Sequence, residues 1–144
     1  MDKNTLKKNI IKFFADHQLG IVSTISIDRN SPESAVVGFA NTPDLEIIFG
    51  TMNTTRKYNN ILNNPHVSLV IGWSSERGTV QYEGIARELK KEESAFYMDL
   101  LIQKRVENEK YVHSENQRFF LVKPTWIRFV DNSRDPHEAF ELVF

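Results

Sequence analysis

The sequence predicts a mainly-β α+β fold, a small antiparallel barrel of about six strands with helices at its rim. Three observations predict it. Short stretches rich in β-branched residues recur along the chain, and most are joined by tight turn signals, as hairpin-linked strands are. Amphipathic helical periods interrupt them at the start, after the third strand and after the fifth. A sheet of so many short antiparallel strands hides its edges best by closing on itself.

The elements follow in order. Leu6, Ile10, Phe13 and Phe14 recur at helical spacing with Lys7, Lys8 and Lys12 on the other side, and Gly20 stands just past the expected helix end. Gly20 to Ile27 alternates as a strand does, and Asp28-Arg29-Asn30 makes a hairpin-type turn. Ser34 to Phe39 is a second strand, Asn41 to Asp44 a turn, and Leu45 to Thr51 a third strand. A short helix spans Thr54 to Asn63. Val67 to Trp73 is nearly all apolar, which predicts a central strand buried on both faces. Ser74 to Gly78 is a polar turn, and Thr79 to Leu89 a strand in which Gly84 marks a bulge or a close backbone approach. Lys90 to about Glu109 has the pattern of a helix. Arg118 to Val130 is a long last strand broken at Pro124, Asp131 to His137 a polar loop, and Ala139 to Phe144 an apolar, strand-like tail.

At 144 residues the chain is one domain, 1–144, long enough for a single core. Its 40% hydrophobic and 26% charged residues are those of an ordinary globular protein, and a net charge of −1 offers no basic field for nucleic acid. The absence of cysteine excludes disulfides, thiolate catalysis and cysteine-ligated metals. His17, His66, His113 and His137 are too scattered to suggest a metal site. No apolar run has the length to span a bilayer, and the first residues lack the apolar core of a secretory signal. A cytoplasmic location is the expectation.

The most chemically pointed segment runs from Ile47 to Trp73. An apolar strand stops at Gly50-Thr51, a hydroxyl-rich turn follows with Thr51, Asn53, Thr54 and Thr55, and Arg56-Lys57 opens a helix. Free amides at a helix start attract an anion, and an adjacent guanidinium and ammonium suit a phosphate group.

This segment resembles the FMN site of the pyridoxamine 5'-phosphate oxidase-like family, the FMN-binding split β-barrels. The family's aromatic-x-Thr step stands here as Phe49-Gly50-Thr51 and its Ser/Thr-Arg-Lys as Thr55-Arg56-Lys57. Its Asn-Pro-x-Val-Ser-Leu stands as Asn64-Pro65-His66-Val67-Ser68-Leu69, with Trp73 closing the strand. The resemblance extends more weakly from the first helix to about Phe129. It implies a six-stranded antiparallel split β-barrel with flanking helices. It further implies a homodimer with a flavin at each interface, and FMN held by its phosphate on Arg56 and Lys57 with help from Thr51, Thr54 or Thr55. Gly50 belongs to the same turn. The backbone of Val36 and Val37 is implied to run beside the flavin ring, and Trp126, with Arg128, to meet a flavin across the interface. Thr79 and Gln81 are weaker candidates on the next strand.

The chain departs from the true oxidases. Their Arg and Lys at the two ends of the flavin-side strand fall on Ser34 and Phe39, and their Arg-x-His element is missing after Trp126. The expected function is therefore that of an FMN-dependent oxidoreductase acting on a small molecule. Pyridoxamine 5'-phosphate oxidase itself is the alternative within the class. A non-catalytic module binding flavin or haem as a sensor or carrier is the alternative outside it, favoured by the shortage of acid/base residues. A ligand-free barrel keeping only the fold is a third reading.

Overall fold

A computed structural model of the protein describes residues 1–74 and 77–144. The first helix, α1 (Lys3–Ala15), begins where Thr5 N–H donates to the Asp2 carboxylate at 2.9 Å, the usual way an acidic N-cap satisfies a free amide. Leu6, Ile10, Phe13 and Phe14 are its buried side. The helix ends on Asp16, whose N–H faces the carbonyls of Lys12, Phe13 and Phe14. Gly20, expected to cap it, is instead the second residue of the first strand.

The chain continues through β1 (Leu19–Ile25), β2 (Pro32–Asn41), β3 (Ile47–Met52), α2 (Arg56–Asn63), β4 (His66–Ser74) and β5 (Gly78–Glu88). It ends with α3 (Lys91–Lys104), a 3-10 turn (Val106–Asn108), α4 (Glu109–Val112), β6 (Gln117–Asp131) and β7 (Glu138–Val143). The strands pair antiparallel in the order β3-β2-β1-β4-β5-β6-β7, and β3 also pairs with β6, from Ile47 opposite Val122 to Met52 opposite Gln117. Six strands thus close into an antiparallel barrel, and the apolar tail hangs on β6 as a seventh. The turn expected at Ser74 to Gly78 includes Ser75 and Glu76, which lie outside the described residues.

Inside the barrel, Phe14, Phe39, Phe49, Phe120 and Tyr82 form the centre of the core. A second apolar layer lies outside, where Leu101 of α3 and Val112 of α4 cover Ala40, Ile48, Phe119 and Leu121. This explains why Ile47, Ile48 and Phe49, like Phe119 to Val122, are consecutive buried residues: β3 and β6 are covered on both faces. The prediction of two-sided burial for Val67 to Trp73 does not hold. That strand alternates, with Val67, Leu69 and Ile71 inside and Val70 and Trp73 exposed.

Tyr82 ties the closure together. Its hydroxyl stands 2.9 Å from the Leu45 carbonyl and 3.0 Å from the Val122 carbonyl, and burial pushes the phenol pKa up. Removing the hydroxyl leaves buried carbonyls short of a donor. Tyr82→Phe is expected to cost about 1–2 kcal/mol, read as a lower denaturant midpoint at unchanged slope.

Two further expectations are corrected. The helix expected from Lys90 to Glu109 stops at Lys104, because Arg105 is extended and the Asn108 amide turns back to donate to the Leu101 carbonyl at 2.8 Å. A side chain that satisfies a terminal carbonyl ends a helix. Lys104 then docks the α3 terminus on the barrel, donating to the Phe14 carbonyl at 3.0 Å with its ammonium 3.5 Å from the centre of the Phe39 ring. Burial pulls its pKa down to about 8, and the carbonyl and ring are what favour the charge there. Pro124, for its part, does not break β6. The strand passes through it by a bulge, since Glu83 pairs with Trp126 and Gly84 with Pro124, leaving Thr125 unpaired against β5. A bulge is where a ladder tolerates proline.

Candidate functional site

A cavity of about 610 Å³ opens where β2, the end of β3, the start of α2 and the α3–α4 segment meet. That volume is within the range of small-molecule and cofactor sites. One wall is Val36, Val37 and Gly38, and another is Gly50, Thr51 and Met52, with Thr55 and Lys57 at the α2 end. Leu101, Val112 and Phe119 supply apolar surface, and Arg105, Asn108, Tyr111, Ser114 and Gln117 supply polar groups.

The start of α2 follows from its turn. Thr55 is the N-cap by position, yet its hydroxyl donates backwards to the Met52 carbonyl at 2.9 Å instead of capping the helix. The Thr51 hydroxyl lies 2.9 Å from the Thr55 hydroxyl oxygen. With Thr55's proton committed to Met52, Thr51 is the donor of that pair. No side chain caps α2, so the first-turn amides, which have no intrahelical acceptor, keep their donors and the positive end of the helix dipole. Gly50 permits the turn to pack closely, for a Cβ there would run into Gln117 Nε2 and the Phe119 ring.

Lys57 is half-buried in the same wall and has no ion-pair partner among the described residues; burial draws its pKa down. A partly desolvated ammonium beside free helix amides is a site for an anion. Arg56 differs. Its side chain, 74% exposed, is paired with Glu33 on β2. A smaller cavity of about 190 Å³, lined by Glu33, Ser34, Thr55, Arg56 and Lys57, adjoins the main one through Thr55 and Lys57.

Of the residues singled out in the sequence, the main cavity brings together Val36, Val37, Gly50, Thr51, Thr55 and Lys57. It does not include Arg56, Thr54 or Trp126. Thr54 is exposed in the turn before α2. Trp126 lies on β6 beside β7, with its indole N–H donating to Glu141 at 3.3 Å. Arg128, two residues on, has a buried Nε without a hydrogen-bond partner. Sequence reasoning missed Arg105, Asn108, Tyr111, Ser114 and Gln117. Tyr111, Ser114 and Gln117 stand in the polar run between the expected helix and the last strand, which was the available signal, whereas Arg105 and Asn108 fall inside the expected helix. A second cavity of about 520 Å³ shares Val112, Gln117 and Phe119 with the first and extends between α3 and β6 to Lys91, Ser94 and Met98.

The donor set fits a flavin phosphate: an unpaired ammonium and free amides at one end, and an apolar chamber walled by strand backbone beyond. Among the described residues no histidine lines the cavity, so the commonest axial ligand of haem is missing from that lining. No group of His, Asp and Glu among the described residues is placed to hold a metal ion, and no helix among them is long and apolar enough to cross a membrane.

The family model described as pyridoxamine 5'-phosphate oxidase matches residues 6–131. No curated protein matches the chain. Among solved structures, general stress protein 26 from Bacillus anthracis superposes with a TM-score of 0.71 at 20% identity, over 95% of this chain and 98% of that one. A protein from Clostridium acetobutylicum related to general stress protein 26, of the pyridoxinephosphate oxidase family, gives 0.73 at 10% identity, over 98% and 97%. A haem-binding protein from Mycobacterium smegmatis gives 0.80 at 12% identity over 97% of this chain, which spans 59% of that protein's length. At these identities the likeness is one of fold.

Proposed function

The chain belongs to the pyridoxamine 5'-phosphate oxidase family, and from the chemistry of its cavity we propose that it binds FMN and serves as an FMN-dependent oxidoreductase for a small molecule. The observation that carries this reading is Lys57, a half-buried ammonium with no ion-pair partner among the described residues, at the end of a largely apolar cavity of about 610 Å³. Lys57 and the first-turn amides of α2 bind the phosphate. The backbone of Val36 and Val37 orients the ring, and Leu101, Val112 and Phe119 exclude water from its face. A bound isoalloxazine supplies the electron transfer, which needs no acid/base residue from the protein beyond orientation and electrostatics.

A vitamin-phosphate substrate is disfavoured. Phe39, at the position of the oxidases' substrate-side lysine, is buried in the core edge-on to Phe14. Ser34, at the position of their arginine, is hydrogen-bonded to Ser23 at 2.8 Å. A non-catalytic carrier remains the second reading, supported by a lining that among the described residues includes no Asp, Glu or His. Reduction of the bound flavin by NADH or NADPH with air-driven turnover separates the two.

The homodimer belongs to the same proposal. Val36, 60% exposed at the cavity mouth, Ile21 and Val70 stand in one row across the outer face of β2, β1 and β4. An apolar outer row beside an open cavity suits a second copy of the chain. Light scattering is expected to give a dimer, and Val70→Asp a monomer that keeps its circular dichroism; a dimeric Val70→Asp protein would remove this face from the interface.

The first test is purification without added cofactor, a visible spectrum, and the mass of any released ligand. FMN at about one per chain is the expected result, given one anion grip per chain. A colourless protein that takes up no flavin overturns the reading.

A further inference from the structure

Glu33 is the acidic residue of the anion end. Its Oε2 accepts from Arg29 Nη2 at 2.7 Å and pairs with Arg56, and its Oε1 accepts from Asn60 Nδ2 at 2.7 Å. Asn60 is itself buried on the inner side of α2 and also donates to Thr24 Oγ1 at 3.0 Å. The carboxylate is therefore seated in a built cradle, its side chain 9% exposed, and the amide and the two guanidinium groups hold its pKa down. This cradle of two arginines and an amide is itself of the kind that grips a phosphate, and the chain fills it with its own carboxylate. Glu33 also lines the small cavity together with Arg56 and Lys57. An incoming phosphate there meets one free cation and one neutralised by a neighbouring anion.

We infer that Glu33 is a specificity-determining residue that acts as the built-in counter-ion of Arg56, so that Lys57 and the first-turn amides of α2 carry the grip on a ligand phosphate and Arg56 adds little to the preference for phosphorylated over unphosphorylated ligands. This rests on the flavin reading for its ligand, but not for its electrostatics. The arrangement sets Arg56 apart from Lys57, although the two are adjacent in sequence: one is spent on the fold and the other is left for the ligand. Glu33 acts through Arg56 and the local field, so the informative readout is selectivity for the phosphate, which a purely structural role leaves unchanged.

The experiment compares FMN, riboflavin and inorganic phosphate on the wild-type protein, Glu33→Gln, Arg56→Gln and the double variant. Glutamine keeps the shape and an oxygen for Asn60 while removing the charge. Glu33→Gln is expected to raise the preference for FMN over riboflavin roughly three- to tenfold, the scale of one nearby exposed charge. It is also expected to enlarge the rise in melting temperature produced by phosphate. Arg56→Gln alone is expected to change the FMN-to-riboflavin preference by less than about threefold, and in the double variant to abolish the gain. An unchanged or lower FMN preference in Glu33→Gln overturns the inference, the lower value meaning that Glu33 aims Arg56 at the ligand. So does an Arg56→Gln loss as large as that of Lys57→Ala. If Glu33→Gln does not fold, the Arg56→Gln comparison decides. If no variant takes up either flavin, the FMN reading falls, and the phosphate melting series still decides: a gain in Glu33→Gln supports the counter-ion role and no gain overturns it.

Discussion

Lys57→Ala is expected to raise the dissociation constant for FMN about 10- to 100-fold while leaving that for riboflavin nearly unchanged, since a hydrogen bond to a charged group contributes about 1.5–3 kcal/mol. The split between the two flavins locates the loss at the phosphate. The ammonium is half-buried and has no ion-pair partner among the described residues, so removing it relieves a desolvated charge and leaves folding intact. Arg56→Ala/Lys57→Ala is expected to lose bound FMN outright with its circular dichroism and melting cooperativity retained. A folded double variant that retains FMN would sink the phosphate role of this turn.

The same residue sets a pH dependence. Burial lowers the Lys57 pKa below its ordinary 10.5, so the free site loses its cation at a lower alkaline pH than an exposed lysine would. FMN affinity is expected to be flat through neutrality and to fall as pH rises through that lowered value. Riboflavin affinity is expected to show no such fall.

How far the site could be read from the sequence depends on whether its parts are local. The strand end, the hydroxyl turn and the cations at the α2 start are contiguous from Phe49 to Lys57, and Gly50, Thr51, Thr55 and Lys57 of that stretch do meet Val36 and Val37 in one cavity. The hairpins β1–β2, β2–β3 and β4–β5 join neighbours in sequence and were readable, whereas the β1–β4 and β3–β6 pairings that close the barrel join distant segments. The opposite wall was not readable. Arg105, Asn108, Tyr111 and Ser114 face the cavity only because α3 stops at Lys104, and that stop depends on the Asn108 amide returning to Leu101. Nor does anything in the Thr55-Arg56-Lys57 step reveal that its two cations have different neighbours. That difference comes from Glu33, brought over by the packing of α2 against β1 and β2. Trp126 is a residue whose expected role belongs to an assembly of two chains, and within one chain its indole N–H donates to Glu141.

Gly84→Val is expected to damage the barrel severely, costing about 3–4 kcal/mol through overpacking, or roughly 10 °C of melting temperature for a chain of this size. At Gly84 a Cβ would stand 2.5 Å from the Lys123 carbonyl oxygen and 2.7 Å from Val122 Cγ1. The first of these is backbone and cannot turn aside as a side chain does. Relief requires β5 and β6 to part where the register already shifts around Pro124, and parting them disturbs Val122, which Tyr82 and the β3–β6 pairing both use. β3 ends at the cavity, so the damage is expected to reach the site. Gly84→Val should lose FMN and riboflavin together, in contrast to Lys57→Ala, which loses FMN selectively. Equal melting temperatures for Gly84→Val and the wild-type protein would mean that the strands separate there at no cost, and that the bulge does not hold the β5–β6 register.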